Sequence, residues 1–161
     1  MSRCVLLTGM SAAGKSTVLA ELAGRGHRTV DLDDADWSAW GHLDDDPTSP
    51  RDWLWREDRV TALLDEAATR NEPLFVAGCA ANQGRFRGRF DHVVLLTASV
   101  AVTTGRLATR TTNDFGKHPD EVAKILADKA EVEPLLRRVA HVEIDTEQPL
   151  DVVVAQVLAL R

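Results

Sequence analysis

The chain has 161 residues, 44% of them hydrophobic and 27% charged, with 19 basic against 25 acidic side chains and a net charge of −6. This length suits one domain, able to bury roughly 70% of its unfolded surface without disulfide or metal staples. The acidic balance argues against general binding to nucleic acid or an anionic membrane, both of which call for a clustered basic surface.

Arg3 to Thr8 is a short apolar run ended by Gly9, which predicts a strand buried on both faces. The run is too short for a secretory leader, and no segment approaches the ~20 apolar residues of a membrane span. A cytoplasmic protein is therefore expected. Lys15 to Arg25 has helical spacing, and Thr29 to Asp33 predicts a second strand running into acid. Residues 34–52 are polar and read as a loop with one helical turn. A helix is predicted over about Asp52 to Arg70, then strands at Leu74–Gly78 and His92–Leu96. Val100 to Arg110 reads as helical, Thr111 to Pro119 as an exposed loop, and Glu121 to Arg138 as a long helix that Pro134 should kink or split. A fifth strand at His141–Asp145 and a last helix at Leu150–Leu160 complete the chain. Strands and helices alternate throughout, so the expected fold is α/β, a five-stranded parallel sheet with helices on both faces. Cys4 and Cys79 lie in apolar runs that predict strands, and both are expected to be free thiols.

Gly9-Met10-Ser11-Ala12-Ala13-Gly14-Lys15-Ser16-Thr17 meets the pattern G-x-x-x-x-G-K-[ST] between a predicted strand and a predicted helix. Its glycines let the backbone approach phosphates, and its successive N–H groups form an anion nest at a helix N-terminus. Gly9, Ser11, Ala12, Ala13, Gly14, Lys15, Ser16 and Thr17 are thus the expected nucleotide contacts. Lys15 would reach the β- and γ-phosphates of ATP, and Ser16 would offer its hydroxyl to Mg²⁺.

Asp31 and Asp33 lie two apart at the carboxyl end of a predicted strand, where ligands of open α/β sheets bind. One carboxylate could hold a water on Mg²⁺, and the other could orient or deprotonate an acceptor hydroxyl. A solvated acidic strand end is the plainer alternative. The third and fourth predicted strands end without an acid, which makes Asp31 the natural metal-side residue. Phosphoryl transfer also needs cations around the moving group. Arg110 is assigned to a lid and Arg56 to an acceptor anion. Arg85, Arg87 and Arg89 contribute at most one ligand contact, surface ion pairs being the ordinary role of such residues. Trp37, Trp40, Trp53 and Trp55 could wall an acceptor pocket or pack the loop against the sheet. Asp145 either lies beside the nucleotide base or caps the last helix.

These residues resemble the small P-loop kinases: shikimate kinase, gluconate kinase and the nucleoside-monophosphate kinases. The resemblance implies a single P-loop NTPase three-layer sandwich, with an acceptor region over about 34–60 and a short lid over about 106–119. Asp31-Leu32-Asp33 resembles the D-x-D of shikimate kinase, which places Asp31 near Mg²⁺ and Asp33 on the acceptor hydroxyl. Trp55-Arg56 sits where that family has an aromatic–arginine pair gripping a carboxylate. Gly78-Cys79-Ala80 occupies the place of a glycine triplet lining the acceptor pocket, and only Gly78 matches, which makes shikimate itself an unlikely substrate. Arg106 to Arg110 resembles the helix entering the lid. What the resemblance implies is an ATP- and Mg²⁺-dependent kinase acting on a small-molecule hydroxyl or phosphate, as monomer or homodimer, with Lys15, Asp33 and Arg110 catalytic, Asp33, Arg56 and Gly78 on the acceptor, and Ser16 and Asp31 on the metal. The alternatives are a regulatory ATPase or switch without such an acceptor, and a kinase that modifies an antibiotic.

Overall fold

The structure, a computed structural model, describes residues 3–111 and 115–160. Strand β1 (Cys4–Thr8) leads through the glycine motif into α1 (Lys15–Gly24) and β2 (Arg28–Asp31). A hairpin of β3 (Ser38–His42) and β4 (Arg51–Trp55) follows, then α2 (Glu57–Thr69), β5 (Leu74–Ala77) and a 3-10 segment (Gln83–Arg89). The chain continues through β6 (His92–Thr97), α3 (Val100–Thr109), α4 (Pro119–Val139), β7 (Val142–Asp145) and α5 (Leu150–Leu158).

Five strands form one parallel sheet in the order β2-β5-β1-β6-β7. The apolar runs of β1, β5 and β6 fill its centre, because a strand covered on both faces has no polar side to show. The two faces divide by the alternation of side chains along each strand. Cys4, Leu6, Leu74, Val76 and Val93 pack against Val60, Leu63 and Leu64 of α2 and against Phe86 and Phe90. Val5, Leu7, Phe75, Ala77, Val94 and Leu96 pack against Val18, Leu19 and Leu22 of α1 and Val153, Val154 and Val157 of α5.

The region read as a loop over 34–52 holds the antiparallel hairpin instead, with Trp40 opposite Trp53 and Ser38 opposite Trp55. The strands are only five residues each and are joined by an Asp-rich turn, so their alternation is lost among polar neighbours. Consequently α2 begins at Glu57, later than expected, because Arg51–Trp55 is spent on a strand. The tryptophans build this hairpin. Trp55 is buried beside Phe86 and Phe90, and Trp40 meets Trp53 edge-on at 5.3 Å with Arg51 over its ring. Helix α4 runs unsplit through Pro134. Cys4 is buried in β1, whereas Cys79 lies beyond β5 in a loop; both are free. Among the described residues no helix is long and apolar enough to cross a membrane.

Candidate active site

Parallel pairing brings three strand exits together. Leu7, Ala77 and Asp31 are in register across β1, β5 and β2, so Thr8-Gly9, Gly78-Cys79 and Leu32-Asp33 leave the sheet side by side. The ladder continues past the strands through Gly78 N–H to Leu7 O (3.0 Å) and Leu32 N–H to Ala77 O (2.7 Å).

The glycine motif is a compact turn between β1 and α1. Gly14 (φ 101°) and Ala12 (φ 61°) are left-handed, and Ala13 N–H bonds to Met10 O at 3.1 Å. At Gly9 a Cβ would meet Leu96 O at 2.5 Å, so only glycine fits against β6. Lys15 folds over this turn, its Nζ donating to Gly9 O (2.5 Å) and Met10 O (3.3 Å). The first turn of α1 carries Ser16 and Thr17, both exposed. Ser11 is half-buried.

Asp33 faces the same turn, its carboxylate 4.0 Å from Lys15 Nζ. The residue lies beyond the end of β2, not on the strand as expected, and Asp31 Oδ1 accepts the Asp33 N–H at 3.0 Å to hold the turn. Asp33 Oδ1 in turn accepts the Cys79 N–H at 3.0 Å. Burial pushes the Asp33 carboxyl above the usual carboxylate range, opposed by Lys15 and the Cys79 N–H and reinforced by Asp31 and Asp34. The Cys79 thiol lies among Thr8, Gly9, Lys15 and Asp33, and burial pushes it up as well.

Gly78 is buried against the core. A Cβ there would meet Leu32 Cβ and both Nε1 and Cζ2 of Trp55 at 3.1 Å, so its lack of side chain makes room for the indole. Arg56 stands at the entry of α2, exposed, its backbone N–H bonded to Trp37 O and its guanidinium without a protein partner among the described residues. Arg110 ends α3 and donates to Phe115 O. Residues 112–114, inside the expected lid, lie outside the described residues.

Arg85, Arg87 and Arg89 serve the protein itself. Arg85 bridges Asp44 and Glu57, Arg87 bonds to Val139 O, and Arg89 pairs with Asp65. Asp145 caps no helix: it accepts the Glu147 N–H at 2.8 Å, and α5 starts after Pro149.

Sequence reasoning missed two polar anchors. Asn82 exchanges hydrogen bonds with the backbone of Trp55 (2.9 and 3.0 Å), locking β4 to the exit of β5. Gln83 reaches Thr8 Oγ1 and Ala80 N–H, both buried, and so ties the root of the glycine motif to the same loop. A buried amide pair of this kind has no periodic signal; only its oddity in an apolar stretch could have marked it.

The donor set suits a magnesium nucleotide. A left-handed nest at a helix N-terminus, a lysine folded into it, a free hydroxyl at Ser16 and the carboxylate of Asp31 are the groups such a ligand uses. Among the described residues no group of three or more His, Cys, Asp or Glu is arranged to hold a metal ion.

Comparison with known proteins agrees with this geometry. The family model described as an AAA domain matches residues 5–127. No curated protein matches the sequence. Among solved structures, shikimate kinase from Acinetobacter baumannii in complex with shikimate aligns with a TM-score of 0.64 at 22% identity, covering 99% of this chain and 93% of that one. Shikimate kinase from Bacteroides thetaiotaomicron gives 0.64 at 17% identity, covering 98% and 97%. A gluconokinase from Sinorhizobium meliloti 1021 gives 0.54 at 22% identity, covering 98% and 90%. Likeness at these identities concerns the fold. With the phosphate-binding turn, the sheet order and the family match in agreement, the chain belongs to the AAA domain family and has the fold of the small P-loop kinases.

Proposed function

We propose that the protein is a phosphotransferase moving the γ-phosphoryl of ATP to a hydroxyl of a small molecule. The observation that carries this reading is Asp33: a carboxylate made more basic by burial, held by Cys79 N–H, and 4.0 Å from the lysine of the phosphate turn. A hydroxyl bound to Asp33 would be oriented and relieved of its proton beside the phosphoryl group that Lys15 holds. The raised pKa moves Asp33 toward the range where a base both stays ionised and accepts a proton well. The turn and Lys15 hold the nucleotide phosphates, and Ser16 and Asp31 are the residues that would hold Mg²⁺. Bound there, the ion would neutralise charge on the phosphate oxygens. Arg56, exposed at the entry of α2, is the cation available to an anionic group of the acceptor. Arg110 would close over the transferring group once released from Phe115 O, excluding water.

The test is ADP release from Mg·ATP with and without an acceptor panel of nucleosides, nucleoside monophosphates, sugar acids, shikimate and aminoglycoside- or phenicol-type antibiotics. Strong stimulation by one class is expected. Slow hydrolysis indifferent to every acceptor would overturn the reading and favour a nucleotide switch.

A further inference from the structure

Helix α3 is fastened to the β7–α5 loop at both ends. At its start Ser99 N–H donates to Glu147 (3.1 Å). In its last turn the half-buried guanidinium of Arg106 donates to Ala12 O (3.0 Å), Thr146 Oγ1 (3.0 Å) and Thr146 O (2.8 Å). Thr146 Oγ1 donates onward to Ala13 O at 2.7 Å, and its methyl and hydroxyl lie 3.5 Å from where a Cβ of Gly14 would be. Arg106, on the helix that enters the expected lid, is thus bonded to the phosphate turn.

Ala12 is the non-glycine residue that this turn holds left-handed, at φ 61°. Such a conformation persists only where its surroundings impose it. A peptide unit is planar, so fixing a carbonyl fixes the direction of the next N–H on the opposite side. Arg106 on Ala12 O therefore holds the Ala12–Ala13 peptide, whose N–H closes the turn on Met10 O at 3.1 Å, and Thr146 on Ala13 O sets the aim of the Gly14 N–H.

We propose that Arg106 is a positioning residue of the nucleotide site. It pre-forms the phosphate turn through Ala12 and Thr146. This rests on the nucleotide-binding reading above.

The test compares dissociation constants of Mg·ADP and of adenosine for the wild type, Arg106→Ala, Arg106→Lys and Thr146→Val. Wild-type binding of Mg·ADP checks the underlying reading separately. If that control binds, Arg106→Ala is expected to weaken Mg·ADP about tenfold or more, the effect of losing charge-assisted hydrogen bonds that shape a site. Adenosine affinity should change less than about twofold, because the turn contacts phosphate. Arg106→Lys should recover part of the loss, and Thr146→Val should weaken Mg·ADP several-fold. Equal weakening of adenosine and Mg·ADP would overturn the proposal, since Arg106 would then act on the base. Unchanged Mg·ADP affinity would also overturn it. Should Arg106→Ala not fold, the same two outcomes are read from Arg106→Lys and Thr146→Val.

Discussion

Asp33 and Lys15 stand 4.0 Å apart across the exits of β2 and β1, close enough for each to feel the other's charge yet not locked in a short ion pair. Lys15 spends its donors on Gly9 O and Met10 O, and Asp33 spends one oxygen on Cys79 N–H.

Lys15→Ala should reduce acceptor-dependent turnover by about a hundredfold or more, as loss of one preorganised transition-state donor does. The fold should survive, because among the described residues the ammonium touches only backbone carbonyls of the turn and Asp33. Steady-state kinetics and circular dichroism check both halves. Near-normal turnover would remove Lys15 from the mechanism.

Asp33→Asn should lose acceptor-dependent turnover and keep Mg·ADP binding. In the wild type, the acid limb of the rate profile should lie above the ordinary carboxylate range, since burial raises Asp33. The sign for stability is opposite to that of a salt-bridged acid: a raised folded-state pKa means that ionised Asp33 opposes folding. That penalty is present above the folded pKa and fades as pH falls through it. Asp33→Asn should therefore raise Tm at pH 7, with the gain shrinking in acid. A lower Tm at pH 7 would show that the Lys15 attraction outweighs burial.

Gly78→Ala should destabilise the protein by about 1–3 kcal/mol, the usual cost of overpacking. The new methyl would press on Leu32 Cβ and the Trp55 indole at 3.1 Å. Denaturant unfolding measures the loss, and tryptophan emission should shift as Trp55 moves. An unchanged midpoint would mean that the indole yields freely.

In the folded protein at pH 8, at most one thiol should react with an aromatic disulfide reagent, and that thiol is Cys79. Burial, with Asp91 adding to it, pushes Cys4 up to about 12, while Cys79 is half-buried in the cleft. Both should react in urea. Prompt reaction of two thiols in the native state would contradict the packing of β1.

The phosphate turn was legible residue by residue because its chemistry is local: Gly9, Gly14, Lys15 and Ser16 sit on one short stretch whose conformation glycine geometry dictates. The parallel sheet was legible for a similar reason, since apolar runs such as Val93–Leu96 carry their burial in their composition. Asp31 and Asp33 were visible as an acidic strand exit, though their geometry comes from a turn and not from strand alternation. The hairpin of Trp40 and Trp53 was hidden, because two five-residue strands fold by pairing with each other and leave little pattern in either alone.

What the sequence determined by itself is the α/β alternation, the phosphate turn and an acidic strand exit, all set by local propensity and short spacing. Only the tertiary structure decided which distant groups meet. It sent Arg85, Arg87 and Arg89 to ion pairs and backbone contacts at the surface, set Trp55 under Gly78, and carried Arg106 to the carbonyl of Ala12. Those contacts depend on the order in which the strands pair, and pairing across long sequence separations is settled by the packing of the whole core rather than by neighbours in the chain.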